Sequence, residues 1–200
     1  NERLVKPNSA QYYADHYISY QDSCRCQPGF IDQHVHGAGG SDAMDGTTCD
    51  LAVIADTLAK EGTTSFLATT MTQSKDNIVK ALGAVKVYRE ENREDGARLI
   101  GVHLEGPFIA EKHKGAQPLE YIAEPNVETF KEYNDASGGA IKIVTLAPEH
   151  PSSKDLIEYG FIKAKELGYK AVIVEGNPQN YKNRGFVTSH SFGINAHPSV

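Results

Sequence analysis

The chain has 200 residues, with 20 Lys and Arg against 26 Asp and Glu and a formal net charge of −6. Its 40% hydrophobic and 23% charged residues are typical of a globular chain and argue against wholesale disorder. The acidic balance and the lack of a Lys/Arg run argue against duplex nucleic acid as a partner. No stretch approaches the ~20 apolar residues of a transmembrane helix. We therefore expect neither nucleic acid nor a membrane as a partner.

The first residues and the cysteines indicate in which cellular compartment the protein is expected. Residues 1–6 lack the apolar middle of a secretory signal, and Cys24, Cys26 and Cys49 are too few and too odd in number for a disulfide framework. The spacing of Cys24 and Cys26 is also narrower than that of usual zinc pairs, so we interpret them as unconnected thiols. These features favour the cytoplasm.

Residues 1–27 form an unassigned N-terminal segment. Tyr12, Tyr13, Tyr17 and Tyr20 would line one helix face, but Pro7 and scattered polar residues weaken that period.

Strand signals begin at Pro28 and recur along the chain. Apolar runs bounded by turn residues predict strands at 29–36, 63–68, 99–104, 140–146 and 171–174, with a Gly-rich turn at 37–40.

Helical periods lie between these strands. The first predicted helix carries Leu51, Ile54, Ala55 and Leu58 and ends at Gly62, and the second is capped by Ser74 and carries Ile78, Ala81, Leu82 and Val85. The third is capped by Asn126, with Val127 and Phe130 inward. The fourth runs from about 153 to 167, carries Ile157, Phe161 and Ala164 and ends at Gly168. The alternation predicts an α/β fold of parallel β/α units, with all strand carboxyl ends at one edge.

The sharpest chemical signal is His34-x-His36 at the end of a predicted strand. Side chains two apart lie on the same face of a strand, so both imidazoles can reach one point. Glu105 ends another strand, where a buried carboxylate needs a cation or hydrogen-bond donors. These residues are candidate metal ligands; the alternative is two satisfied or exposed histidines. Asp32 would share the face of His34 or orient it.

Two other histidines are less suited to this role. We interpret His103 as a packed strand residue and His113 as part of a surface loop.

Four segments carry a family resemblance. The motifs are PGFIDQHVHG at 28–37, EGTT at 61–64, GVHLEGPF at 101–108 and TLAPE at 145–149. The first resembles the first-strand signature of the amidohydrolase superfamily, and the others resemble its N-acetylglucosamine-6-phosphate deacetylases over about residues 28–149.

The resemblance implies a metal-dependent (β/α)₈ hydrolase that removes acetate from N-acetylglucosamine 6-phosphate to give glucosamine 6-phosphate. It implies Glu105 as the principal metal ligand, His34 and His36 as the pair at a second ion, and Gln117, in KGAQP at 114–118, as a substrate-binding residue. The alternative for Gln117 is a loop residue facing solvent. His and carboxylate ligands do not distinguish zinc, iron and manganese. A dimer, and so a homo-oligomer, is also implied.

The family places its proton-shuttling aspartate on the last strand, and no residue of this chain matches it, so the catalytic residue is unknown. A complete barrel needs ~250 residues. Only about four of the eight units are recognised, and we do not expect the chain alone to hold the complete site.

Residues 150–200 suggest an alternative. The helix at 153–167, the predicted strand at 171–174 and Tyr181 resemble the C-terminal half of an acetyl-CoA-dependent N-acetyltransferase, although Pro and Ser replace the glycine-rich phosphate loop at 147–153. The domains predicted are thus 1–27, 28–149 and 150–200. Two further hypotheses are an inactive α/β scaffold that self-associates through open sheet edges, and a composite of two joined sequences.

Overall fold

A computed structural model describes residues 27–91, 93, 95–172, 182, 186–188, 191 and 193. Its strands and helices alternate as predicted. In chain order they are β1 (Phe30–Val35), β2 (Gly37–Ala38), β3 (Ser41–Asp42), α1 (Thr48–Lys60), β4 (Thr63–Thr69), α2 (Lys75–Glu90), β5 (Arg98–Glu105), α3 (Val127–Ala136), β6 (Ile141–Thr145) and α4 (Ser153–Glu166), with 3₁₀ turns at Ala43–Asp45, Glu111–His113 and Leu119–Tyr121.

The four longer strands form one parallel sheet in the order β1-β4-β5-β6. Consecutive helices pack against one another, α1 on α2, α2 on α3 and α3 on α4. The parallel sheet and the alternating helices confirm the predicted fold class. The predicted Gly-rich turn is a small antiparallel hairpin of β2 and β3, with Gly39 and Gly40 at its tip.

The helices begin at the polar residues that the sequence predicts. The Ser74 hydroxyl accepts from the Asn77 N–H at 3.3 Å, and the Asn126 side chain accepts from the Thr129 N–H at 2.9 Å. Each contact satisfies a backbone donor that has no partner within its helix.

One core joins the helices to the sheet. Its fully buried members are large apolar side chains from α1, α2, β4, β5 and the loop after β5, among them Leu51, Ile54, Phe66, Ile78, Leu82, Val102, Leu104 and Phe108. Burial of these side chains holds β4 and β5 in place.

The edge strand β1 is less protected than β4 and β5. Phe30 is 66% exposed and Ile31 61% exposed. The register of β1 against β4 also shifts twice along the strand.

The last part of the chain differs from the prediction. The helix at 153–167 is confirmed as α4, and Gly168 follows it with a φ of 84°. Ala171 and Val172 are exposed and belong to no strand, so the predicted strand at 171–174 is wrong for these two residues. Ile173, Val174, Tyr181 and all of 1–26 lie outside the described residues.

Within the described ranges, none of the helices has the length and apolar character needed to cross a bilayer.

Candidate metal centre

Three predicted residues meet at the carboxyl edge of the sheet. His34 lies near the end of β1, His36 follows that strand directly, and Glu105 ends β5. The Glu105 Oε2 atom lies 2.9 Å from His34 Nε2 and 3.1 Å from His36 Nε2. The two Nε2 atoms are 3.3 Å apart. The three ligand atoms thus converge from strands that are not neighbours, across the end of β4.

A backbone carbonyl indicates the tautomer of His36. The His36 Nδ1 atom lies 3.2 Å from the Thr69 carbonyl oxygen, which can only accept a hydrogen bond. In the neutral imidazole the proton therefore sits on Nδ1. The Nε2 lone pair is then free to act as a ligand on the side that faces Glu105.

Glu105 Oε2 is buried and makes no hydrogen bond with good geometry, even though two imidazole nitrogens lie within 3.1 Å. The two observations agree if the nitrogens present lone pairs and not N–H groups to the carboxylate. A buried carboxylate oxygen among acceptors is costly unless a cation lies between them.

The donor set fits a divalent ion. Histidine nitrogens and a carboxylate oxygen are ligands of zinc, iron and manganese, at about 2.0–2.2 Å for zinc. Among the described residues these three form the one group of at least three His, Cys, Asp or Glu side chains that offers such a site.

Gln117 is buried, with 8% exposure. Its amide oxygen accepts from the Thr72 N–H at 2.8 Å, and its Nε2 donates to Glu105 Oε1 at 2.9 Å. The alternative of a solvent-facing loop residue is therefore wrong. The substrate contact implied by the resemblance stays a prediction.

His103 is packed in the sheet, as predicted. It is 6% exposed, with Nδ1 3.2 Å from the Gln33 carbonyl and Nε2 2.7 Å from the Thr145 hydroxyl. Its ring meets the His34 ring edge-on at 4.8 Å between centroids. Burial lowers the pKa of His103, which favours the neutral imidazole. His113 is exposed in its 3₁₀ turn, as predicted.

Asp32 acts on the backbone of His34. Its Oδ1 atom accepts from the His34 N–H at 3.0 Å. This bond restrains the backbone of His34, and the role of Asp32 in orienting the imidazole stays a prediction.

Sequence reasoning missed the threonines at and just after the end of β4. The Thr69 hydroxyl accepts from the Val35 N–H at 3.0 Å, and the Thr70 hydroxyl accepts from the Glu105 N–H at 3.1 Å. Thr69, Thr70 and Thr72 are all buried. The signal was available as three hydroxyls within four residues at a strand end.

A cavity of about 350 Å³ lies away from this centre. It sits at the amino end of β5 and the last turn of α2, and Tyr88, Arg89, Arg93, Asp95 and Arg98 contribute to its lining. None of the three candidate ligands lines this cavity.

No protein-family model matches the sequence. An N-acetylglucosamine-6-phosphate deacetylase of Bacillus subtilis is 48% identical over 134 residues, which cover 66% of this chain and 34% of the relative. The matched part of the chain is similar to members of the N-acetylglucosamine-6-phosphate deacetylase family. The chain spans about a third of the length of the curated relative.

Solved structures of the family share the fold. The Mycobacterium smegmatis N-acetyl-D-glucosamine-6-phosphate deacetylase matches with a TM-score of 0.58 at 26% identity, over 66% of this chain and 36% of that one. The Thermotoga maritima enzyme matches with a TM-score of 0.56 at 32% identity, over 72% and 42%. The parallel sheet therefore corresponds to part of the amidohydrolase barrel. Nothing in these matches favours the acetyltransferase alternative.

Proposed function

We propose that this chain contributes to a metal-dependent amidohydrolase that removes acetate from N-acetylglucosamine 6-phosphate. The observation that carries the proposal is the convergence of His34, His36 and Glu105 on one point, with a buried carboxylate oxygen that lacks a hydrogen-bond partner. The family relationship adds the reaction class. A solved Mycobacterium smegmatis deacetylase in complex with N-acetyl-D-glucosamine-6-phosphate supports an amino-sugar phosphate as the substrate class.

The chain's own residues would hold a divalent ion and set its surroundings. Glu105 supplies one negative charge, and His36, fixed by the Thr69 carbonyl, supplies a neutral nitrogen ligand. His34 supplies a second nitrogen from the same strand face. Such an ion, when bound, provides Lewis-acid activation of water and of the amide carbonyl.

The reaction breaks the carbon–nitrogen bond of the amide and an O–H bond of water, and it forms a carbon–oxygen bond and an N–H bond. Water adds its oxygen to the acetyl carbon, the carbon–nitrogen bond of the amide breaks, and the nitrogen leaves as the amine of glucosamine 6-phosphate. The proton that the water loses balances the one that the leaving amine takes up, and no described residue is assigned to that transfer. The proposed part of the described residues is to bind the ion and fix its position.

The remaining attributes of the proposal are a cytoplasmic location and a homo-oligomer. The odd cysteine count supports a reducing compartment, and the exposed Phe30 and Ile31 on edge strand β1 support self-association. Light scattering after gel filtration measures the oligomeric state.

Two measurements on the full chain test the proposal. Metal analysis after dialysis against zinc, iron or manganese should find a bound ion, and any acetate release from N-acetylglucosamine 6-phosphate should depend on that ion. The C4 epimer of the substrate serves as a specificity control. A chain that retains no ion, or that keeps its activity in the Glu105→Gln variant, contradicts the proposal.

A further inference from the structure

Gln117 lies in the loop after β5, at the carboxyl edge of the sheet. Its backbone N–H donates to the Lys114 carbonyl at 3.1 Å, and the Lys114 ammonium group donates to the Gln117 carbonyl at 3.0 Å. These two bonds close a tight turn around the residue. The side chain therefore leaves the loop from a fixed point and enters the buried space beside Glu105.

Both ends of the Gln117 amide are occupied by the protein. The Thr72 N–H can only donate, so it must face the amide oxygen, and the NH₂ group must then face Glu105. The reverse orientation would place two acceptors together at Glu105 and two donors together at Thr72. The Gln117 side chain thus has one satisfied orientation.

Gln117 divides the two oxygens of Glu105 between two roles. Oε1 accepts from the Gln117 NH₂ group, whereas Oε2 faces the two histidines and has no hydrogen-bond partner. We propose that Gln117 is a positioning residue that holds Glu105 as a ligand through the single atom Oε2. This inference rests on the proposed function only in requiring an ion at the His34–His36–Glu105 cluster.

A neutral amide suits this task better than a charged group. An ammonium or guanidinium group in the same place would pair with the carboxylate and compete with the ion for its charge. A second carboxylate would repel Glu105. The Gln117 amide donates one hydrogen bond and leaves the full negative charge of Glu105 for the ion, so it orients the ligand without neutralising it.

Gly106 allows Thr72 to approach closely enough to hold the other end of the amide. Its φ is 68°, and a Cβ placed there would come within 2.1 Å of the Thr72 hydroxyl oxygen and 2.9 Å of its backbone nitrogen. Glycine adopts this conformation without the cost that other residues meet. The close contact brings the Thr72 N–H beside the end of β5, where Gln117 bonds to it.

The test compares metal binding by three variants of the full chain. Gln117→Met keeps the length of the side chain and removes its hydrogen bonds, and we expect the zinc affinity to fall about 10- to 100-fold, the usual cost of losing an outer partner of a ligand. His113→Asn, in the exposed turn of the same loop, is the matched control and should bind zinc as the parent chain does. Calorimetric titration of the metal-free chain measures both affinities.

The visible spectrum of the cobalt-loaded chain provides a readout that a purely structural role would not move. Without Gln117, Glu105 is free to offer both oxygens, so the Gln117→Met spectrum should shift toward a higher coordination number. Gln117→Asn keeps the amide but cannot reach both partners, and it provides the same comparison if the Met variant does not fold. Either folded variant that binds zinc with the affinity of the parent chain and shows an unchanged cobalt spectrum overturns the inference.

Two other results remain distinct from that outcome. If the parent chain binds no ion, the proposed function fails together with the inference. If Gln117→Met binds zinc normally but binds N-acetylglucosamine 6-phosphate more weakly, Gln117 contacts the substrate and the positioning role is wrong.

Discussion

The two ends of the sheet differ in whether their charged side chains have hydrogen-bond partners. At the amino end, Arg93 donates to both oxygens of Asp95, at 3.0 and 2.6 Å, and its guanidinium carbon lies 5.8 Å from the centre of the Tyr88 ring. At the carboxyl end, Glu105 Oε2 is buried and has no hydrogen-bond partner. At the amino end Arg93 and Asp95 therefore neutralise each other, whereas at the carboxyl end Oε2 of the Glu105 carboxylate has no hydrogen-bond donor among the described residues.

The cavity and the candidate metal centre lie at opposite ends of the sheet. The amino end has the cavity of about 350 Å³, but its chemistry is that of an exposed ion pair. The carboxyl end has the three converging ligand atoms. In a parallel sheet the loops at the carboxyl ends carry the functional residues, and the contrast in charge satisfaction follows the same division.

The largest expected effect comes from Glu105→Gln. The neutral amide cannot supply the negative charge, so we expect zinc affinity to fall by more than about 100-fold, beyond the usual cost of an outer partner. Metal analysis after dialysis measures the loss. If the variant retained the ion, Glu105 would not be a metal ligand, and the proposed difference between the two ends of the sheet would be wrong.

The same variant has an informative metal-free form. The introduced side-chain amide would carry an NH₂ group able to donate to the His36 Nε2 atom, which satisfies a position where the carboxylate has no partner. We therefore expect the metal-free variant to unfold in urea at no lower concentration than the metal-free parent chain. A clear loss of stability would mean that Oε2 is already satisfied without an ion.

Thr145→Val should have an intermediate effect. The His103 Nδ1–H donates to the Gln33 carbonyl, so the Nε2 atom accepts from the Thr145 hydroxyl at 2.7 Å. Valine leaves that buried nitrogen without a donor, and we expect unfolding free energy to fall by about 1–3 kcal/mol in urea. Thr145→Ser retains the hydroxyl and should recover most of the loss. Equal stability of the Val and Ser variants would contradict the assigned hydrogen bond.

Asp95→Asn should have the smallest effect, because exposed ion pairs contribute little. The hydrogen bonds from Arg93 lower the pKa of Asp95 below its usual value of 3.8, so the carboxylate stabilises the folded state above that pH. The small difference in Tm between parent and variant should shrink as pH falls below 3.8 and vanish below the lowered pKa. Glu91→Gln, which removes an exposed charge at the same end, is the control. If Asp95→Asn lowered Tm at pH 7 by more than Thr145→Val does, the expected order of effects would be wrong.

The strands of the core could be predicted because local signals and packing agree there. The predicted strands at 63–68 and 99–104 differ from β4 and β5 by one or two residues, and both end where a polar or turn residue follows. The run at 171–174 has the same apolar character, but Ala171 and Val172 are exposed and pair with no strand. A short apolar run does not show from sequence alone whether a neighbouring strand is present to receive it.

The site could be predicted in part for a similar reason. The alternation in β1 places His34 and His36 on one face, and the strand-end position of Glu105 places it at the same edge, so two local patterns were enough. The bond between Gln117 and Glu105 depends on a loop of 3₁₀ turns without a regular period. Its path follows from tertiary contacts such as the close approach of Gly106 to Thr72, which leave no repeating pattern in the sequence.

The span of the cluster from β1 to β5 has a consequence for the order of folding. His34 and Glu105 are roughly seventy residues apart in the chain, and they meet only after β4 has taken its place between their strands. Contacts between residues so far apart are slow to form, because the intervening chain must first be closed into a loop. Cobalt absorption during refolding should therefore appear in step with assembly of the three strands and not with formation of the helices. The binding of a cation at this edge therefore reports when the sheet is complete.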